Sequence, residues 1–124
     1  MNKEKIIQGK DISFNRLVLE NKKPNVLVLS HENKKDRLKQ RDSGLNQVLC
    51  KIAKANNTTF AIDFNEIKQE KDKKTKAEIL SRIIQNIKLI KKYKNKFKLI
   101  NCKDKHNAKS FLINLGLPTS MIKN

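Results

Sequence analysis

Few side chains in this sequence could break a covalent bond. The 124 residues include two histidines, His31 and His106, and two cysteines, Cys50 and Cys102, beside twelve carboxylates. A set such as His31, Asp63, Cys102 and His106 could hold a divalent cation, polarise a phosphate ester and activate a water, which is the chemistry of a metal-dependent phosphoesterase. The spacing argues against it, because no HxH, HxxxH or CxxC pair occurs. GxSxG is also missing, and three scattered glycines cannot build a phosphate-cradling loop. Asp63 lies in an apolar run and reads as facing a sheet interior or, more simply, as pairing with a lysine. The simpler reading of the histidines and Cys102 is as exposed loop residues.

Binding is better written into the chain than catalysis. Twenty-nine Lys and Arg against twelve Asp and Glu give a net charge of +17, which points to a polyanionic partner. Coding bias toward A/T would favour Lys, Asn and Ile, but it should raise Glu as well, and Glu occurs six times. Nucleic acid therefore ranks above an anionic membrane surface or an acidic protein. Residues 31–41 carry five basic side chains (Lys34, Lys35, Arg37, Lys39 and Arg41) against two acids. Residues 88–105 carry eight lysines and one acid, net +7. Aromatics are scarce and none falls in an RNP-like strand, so recognition of structured RNA through shape and phosphates fits better than base stacking. A merely solvated lysine face is the plainer alternative.

The elements that must position these groups alternate. Short apolar runs at 5–8, 26–29, 60–64 and 97–100 read as strands, and the run at 26–29 reads as buried on both faces. Between them lie a helix over 12–20, capped by Asp11 or Ser13 with Phe14, Leu17 and Val18 inward, and a helix beginning near Ser43. That second helix has Leu45, Val48, Leu49, Ile52 and Ala53 on one face, Ser43 or Asp42 as its cap, and Asn56-Asn57 as its stop. A polar connection over 65–75 leads to a long helix over 76–95 with Leu80, Ile83, Ile84, Ile87 and Ile90 facing the core. A last helix over 105–115 stops at Gly116, with one more turn within 117–122. The whole is one α/β domain, 1–124, of about four parallel β–α units with right-handed crossovers. A closed barrel needs eight strands, so the expectation is an open sheet or a partial barrel. Functional groups should gather after the strands' C-terminal ends: Lys10 and Asp11, His31 to Lys35, Asn65 and Glu66, and Cys102 to His106.

No apolar run approaches the ~20 residues of a membrane span, and the first residues lack the apolar core of a signal peptide. Two cysteines make no disulfide framework, so a reducing, cytoplasmic setting is expected.

The stretch Arg41-Asp42-Ser43-Gly44-Leu45-Asn46-Gln47-Val48-Leu49 resembles the R-x-S-G-L-[DN]-x-V-L signature of archaeal and eukaryotic ribonuclease P protein component 3. Ala61-Ile62-Asp63-Phe64-Asn65 resembles that family's next strand, and residues 80–93, closing on Lys92-Tyr93, its long helix. The resemblance implies a TIM-like, PHP-related barrel, here partial, and a subunit of the ribonucleoprotein that removes the 5′ leader from precursor tRNA. It implies that the RNA is the catalyst, with Mg2+ on the RNA and no cofactor on the protein. The partners would be ribonuclease P RNA, precursor tRNA and protein component 2, with no membrane and no small-molecule substrate. Lys34, Lys35, Arg37, Lys39, Arg41, Ser43, Lys103 and Lys105 would contact RNA. Two departures stand out. Asn101-Cys102-Lys103-Asp104 stands where relatives have a T-S-G-A-like turn, and the β–α units that precede Ile6-Ile7 in relatives are expected to be missing, as in a reduced family member or one piece of a split or truncated gene product. Such a partial barrel, with free edges and strong self-repulsion, is expected to fold incompletely without RNA or a partner.

Overall fold

The computed structural model describes residues 5–29, 45–69 and 71–122. Within them run β1 (Ile6–Gln8), α1 (Ile12–Asn21), β2 (Val26–Leu29), α2 (Gln47–Asn56), β3 (Thr59–Asp63), α3 (Phe64–Lys68), α4 (Lys73–Tyr93), β4 (Phe97–Ile100) and α5 (Lys105–Asn114), followed by a 3-10 turn over Thr119–Met121. The four strands form one parallel sheet in chain order, β1-β2-β3-β4. After the 3-10 turn the chain returns beside β4, where Ile122 forms a parallel bridge with Phe97.

Period-two alternation sorts the strand side chains into two layers. Leu27, Leu29, Phe60, Ile62 and Phe97 point to the larger core, which they share with Val18 and Leu19 of α1, Leu49, Cys50 and Ala53 of α2, Ile67 of α3, Ile79, Ile83, Ile87 and Ile90 of α4, and Leu112 of α5. All five described helices thus pack on one face. Val26, Val28 and Ala61 form a small separate cluster on the other, with Ile100 against it. The register stacks Ile7, Leu27, Phe60 and Phe97 across the sheet, so one apolar row crosses every described strand. Phe60 and Phe97 are fully buried; each contributes about 1.5–3 kcal/mol relative to exposure.

Three helices turn differently from the apolar reading; in α2, Val48 is 39% exposed and Cys50 fully buried. In α1 Leu17 is 58% exposed, while Asn15 is fully buried. Asn15 is held in the β1–α1 turn, where its Oδ1 accepts the Lys10 N–H at 2.8 Å. In α4 the buried stripe is Ile79, Arg82, Ile83, Asn86, Ile87 and Ile90, and Ile84 stands at the exposed edge with 36% of its surface free. Arg82 and Asn86 carry the stripe across positions that an apolar count passes over; Ile79 begins the fully buried stripe, with Leu80 partly buried and packed against the core as expected. The connection after β3 is also shorter than the polar composition of 65–75 implies, because Asp63 opens the five-residue α3.

Phe60→Ala should cost about 3–5 kcal/mol in urea unfolding, through lost burial and the cavity left behind. Leu17→Ala should stay within about 0.5 kcal/mol, and a larger loss would contradict the orientation of α1.

Candidate nucleic-acid interface

The rim at the C-terminal ends of the strands is built from helix starts. Free N–H groups in a first turn need acceptors, and aspartate supplies them here. Asp11 Oδ1 accepts the Phe14 N–H at 2.8 Å, and Asp63 accepts that of Asn65 at 2.9 Å. Asp104 takes two, from His106 at 2.9 Å and Asn107 at 3.2 Å. Asp72, at the start of α4, accepts from the Thr75 hydroxyl at 2.7 Å and the Thr75 N–H at 3.0 Å. The hydroxyl bond first, then the backbone bond, with Lys74 adding to them, hold the Asp72 carboxyl below the usual carboxylate range. The expectation that Asp63 pairs with a lysine gives way to a capping role, since the strand ends at this residue and its carboxylate lies over the next turn.

The cap of α2 also differs from the sequence reading. Neither Ser43 nor Asp42 is the N-cap; Asn46 is, with extended backbone and Oδ1 accepting the Leu49 N–H at 3.0 Å. Starting the helix at Gln47 leaves Leu45 just outside it, 3% exposed, in the same buried cluster as Cys50. Those positions, N′ and N4, are the two that a hydrophobic staple uses, and both are buried, which agrees with the helix beginning at Gln47.

Of the residues expected to meet RNA, Lys34, Lys35, Arg37, Lys39, Arg41 and Ser43 lie outside the described residues, as does His31. Lys103 is exposed in the turn after β4, and Lys105 opens α5 two positions on. Lys10, in the turn after β1, has its ammonium 4.8 Å from the Phe14 ring centroid. Cys102 Sγ lies 3.5 Å from the Asp104 carbonyl oxygen. Among the described residues, no three His, Cys, Asp or Glu side chains come together as a metal site.

A second set of lysines lies at the other end of the sheet, where the strands begin. Lys5, Lys22, Lys23, Lys54, Lys94 and Lys96 are all exposed there. Three donate to main-chain carbonyls: Lys5 to Lys22 at 3.0 Å, Lys54 to Lys94 at 2.8 Å, and Lys96 to Ser120 at 2.9 Å. Their sequence signal is Lys-Lys-Pro and Lys-Asn-Lys placed just before a strand, the second of them inside the basic stretch 88–105.

The sequence matches no family model and no curated protein. The fold has a solved likeness. A chain in a cryo-EM structure of archaeal ribonuclease P with mature tRNA superposes with a TM-score of 0.72 at 24% identity, over 94% of this chain and 50% of that one. The present chain therefore spans half the length of that neighbour, and at this identity the likeness is one of fold.

Chemically, the described surface offers ammonium groups, capped helix starts and the partly exposed Cys102 thiol. Burial pushes the Cys50 thiol up to about 12, with its side chain fully enclosed, so it stays protonated and inert. A thiol reagent at pH 8 should therefore modify Cys102 and spare Cys50 until the protein unfolds. Because the unfolded thiol ionises near 9.0, the stability Cys50 contributes is complete below that pH and declines as pH rises toward 12. Replacing Cys50 by Ala should flatten that part of the stability–pH curve.

Proposed function

We propose that this chain is a protein subunit of ribonuclease P that binds and supports the catalytic RNA without itself catalysing leader removal. One observation carries the reading. A fold that superposes on a chain of an archaeal ribonuclease P structure comes from a sequence that resembles the component 3 signature at 41–49 and that family's next strand and long helix. The echo at 61–65 falls on β3 and the start of α3, and that at 80–93 on the body of α4. The net charge of +17 supports an RNA partner.

In this reading the sheet is about half of a TIM-like, PHP-like barrel. Sequential parallel strands with every described helix on one face are the wall pattern of such a barrel, whereas doubly wound sheets carry helices on both faces. Lys34, Lys35, Arg37, Lys39 and Arg41, with Ser43, Lys103 and Lys105, contact RNA phosphates. Component 2 is the protein partner, precursor tRNA the substrate of the assembly, and the cytoplasm its location. Mg2+ is held by the RNA, and the protein acts by lowering phosphate repulsion so that less of it is needed.

Reconstitution tests this. Adding the protein to the cognate RNA with component 2 should lower the Mg2+ required for half-maximal precursor-tRNA cleavage. A protein that changes neither Mg2+ demand nor rate, or that carries stoichiometric metal and hydrolyses phosphoesters without RNA, would overturn the proposal.

A further inference from the structure

We propose that the end of the sheet where the strands begin is a second phosphate-binding surface for RNA, separate from the rim after the strands. The inference rests on the RNA-binding reading above and adds a face to it.

Parallel topology places every helix-to-strand turn at this end. Lys22-Lys23-Pro24-Asn25 precedes β2, Asn57-Thr58 precedes β3, and Lys94-Asn95-Lys96 precedes β4. With Lys5 before β1 and Lys54 in the last turn of α2, six exposed lysines share the surface. None of the turn residues is acidic, and Glu20, near the end of α1, is held by Arg16 at 2.8 Å. The described aspartates lie instead at the opposite end, as helix caps.

Lysines at helix C-termini have an ordinary purpose, which is to offset the macrodipole. Its magnitude decides the matter. Each C-terminus amounts to about −0.5 charge, so the ends of α1, α2, α4 and α5 together account for about −2. Six lysines leave roughly +4 unanswered. Lys5, Lys54 and Lys96 each donate to a carbonyl, which orders the side chain while leaving two of three ammonium protons free. Lys54, Lys94 and Lys96 line a cleft of about 80 Å³ between the ends of α2 and α4, floored by the buried Asn95. That is a concave, cationic recess suited to a phosphate group. Anionic lipid fits less well, because interfacial binding requires apolar side chains to insert, and Pro24, the apolar member of these three turns, is buried.

The test is a variant of the full chain that removes charge without disturbing the turns. Lys23 and Lys94 have positive φ, 44° and 57°, a conformation asparagine accepts more readily than lysine. Lys22→Gln with Lys23→Asn and Lys94→Asn should therefore keep the thermal midpoint. Binding to a fluorescein-labelled tRNA transcript should weaken at least tenfold, and the slope of log affinity against log salt should fall by about 2–3, near 0.9 for each phosphate no longer neutralised. Lys22→Gln alone, at an exposed helix end, should lower the slope by about 1 and serves as the readout if the triple variant fails to fold. An unchanged slope in variants of a protein that does bind the transcript would overturn this surface and leave the subunit reading standing. A wild-type chain that binds no RNA would overturn both. Loss of binding to phosphatidylserine vesicles with RNA affinity intact would assign the lysines to a membrane and reject the proposal.

Discussion

Val26 to Leu29 impose the strictest condition on this molecule. Four consecutive apolar residues, each buried, must be covered on both faces, and their backbone groups must be paired along both edges. β1 and β3 meet the second requirement in parallel register. Parallel pairing in turn obliges the chain to cross over between strands, and α1 and α2 are parts of those crossovers, covering Leu27 and Leu29. The neighbourhood is tight enough to dictate a glycine. Gly9 donates its N–H to the Val28 carbonyl at 2.7 Å, and a Cβ there would sit 2.7 Å from that same oxygen and 2.8 Å from Asn15 Oδ1. Asn15 is buried for the same reason, as it fills the corner that Gly9 leaves and ties the turn to the helix.

The helices begin and end by recurring devices, and their repetition sets the charge pattern. Aspartate or asparagine starts all five described helices: Asp11, Asn46, Asp63, Asp72 and Asp104. A left-handed residue follows four of them, with Lys23, Asn57, Lys94 and Gly116 after α1, α2, α4 and α5. After the last three, the next N–H reaches back five residues, from Thr58 to Ala53, Asn95 to Ile90 and Leu117 to Leu112, which is the Schellman closure. The turns are then pinned to their neighbours. Thr58 Oγ1 donates to the Pro24 carbonyl at 2.7 Å, and Asn95 Nδ2 to that of Cys50 at 3.0 Å. Aspartate caps at one end and lysine-bearing turns at the other thus recur along the parallel sheet.

Those local rules explain what can be read from sequence. β2 and β4 are legible to the residue because apolar runs bounded by Pro, Asn and Lys have few alternatives, and Asn57 and Gly116 are legible as stops because few residues tolerate positive φ. Helix rotation is not legible where polar groups are buried. Asn15, Arg82 and Asn86 occupy core-facing positions that hydrophobic periodicity does not record, and for Asn15 the cause is its bonding to the Lys10 main chain. The start of α2 is ambiguous in sequence because Asp42, Ser43 and Asn46 are all good caps, and the burial of Leu45 decides among them only in three dimensions. On the candidate interface, Lys103 and Lys105 fall at the strand-end rim as their positions after β4 imply. Of the opposite lysines, Lys94 and Lys96 stand out within the basic stretch 88–105, but their grouping with Lys5, Lys22, Lys23 and Lys54 comes only from the fold, which brings separate turns to one end of the sheet.

The sheet grows by addition, each strand paired to the one before it and each helix laid on the same side. Such a structure has an inside and an outside along its length as well as across its layers. β2 and β3 have partners on both edges, while β1 is three residues long with Ile6 half exposed. Opening should therefore be graded, with amide exchange slowest at Leu27 and Phe60 and fastest in β1, so that the domain frays from its first strand rather than melting everywhere at once.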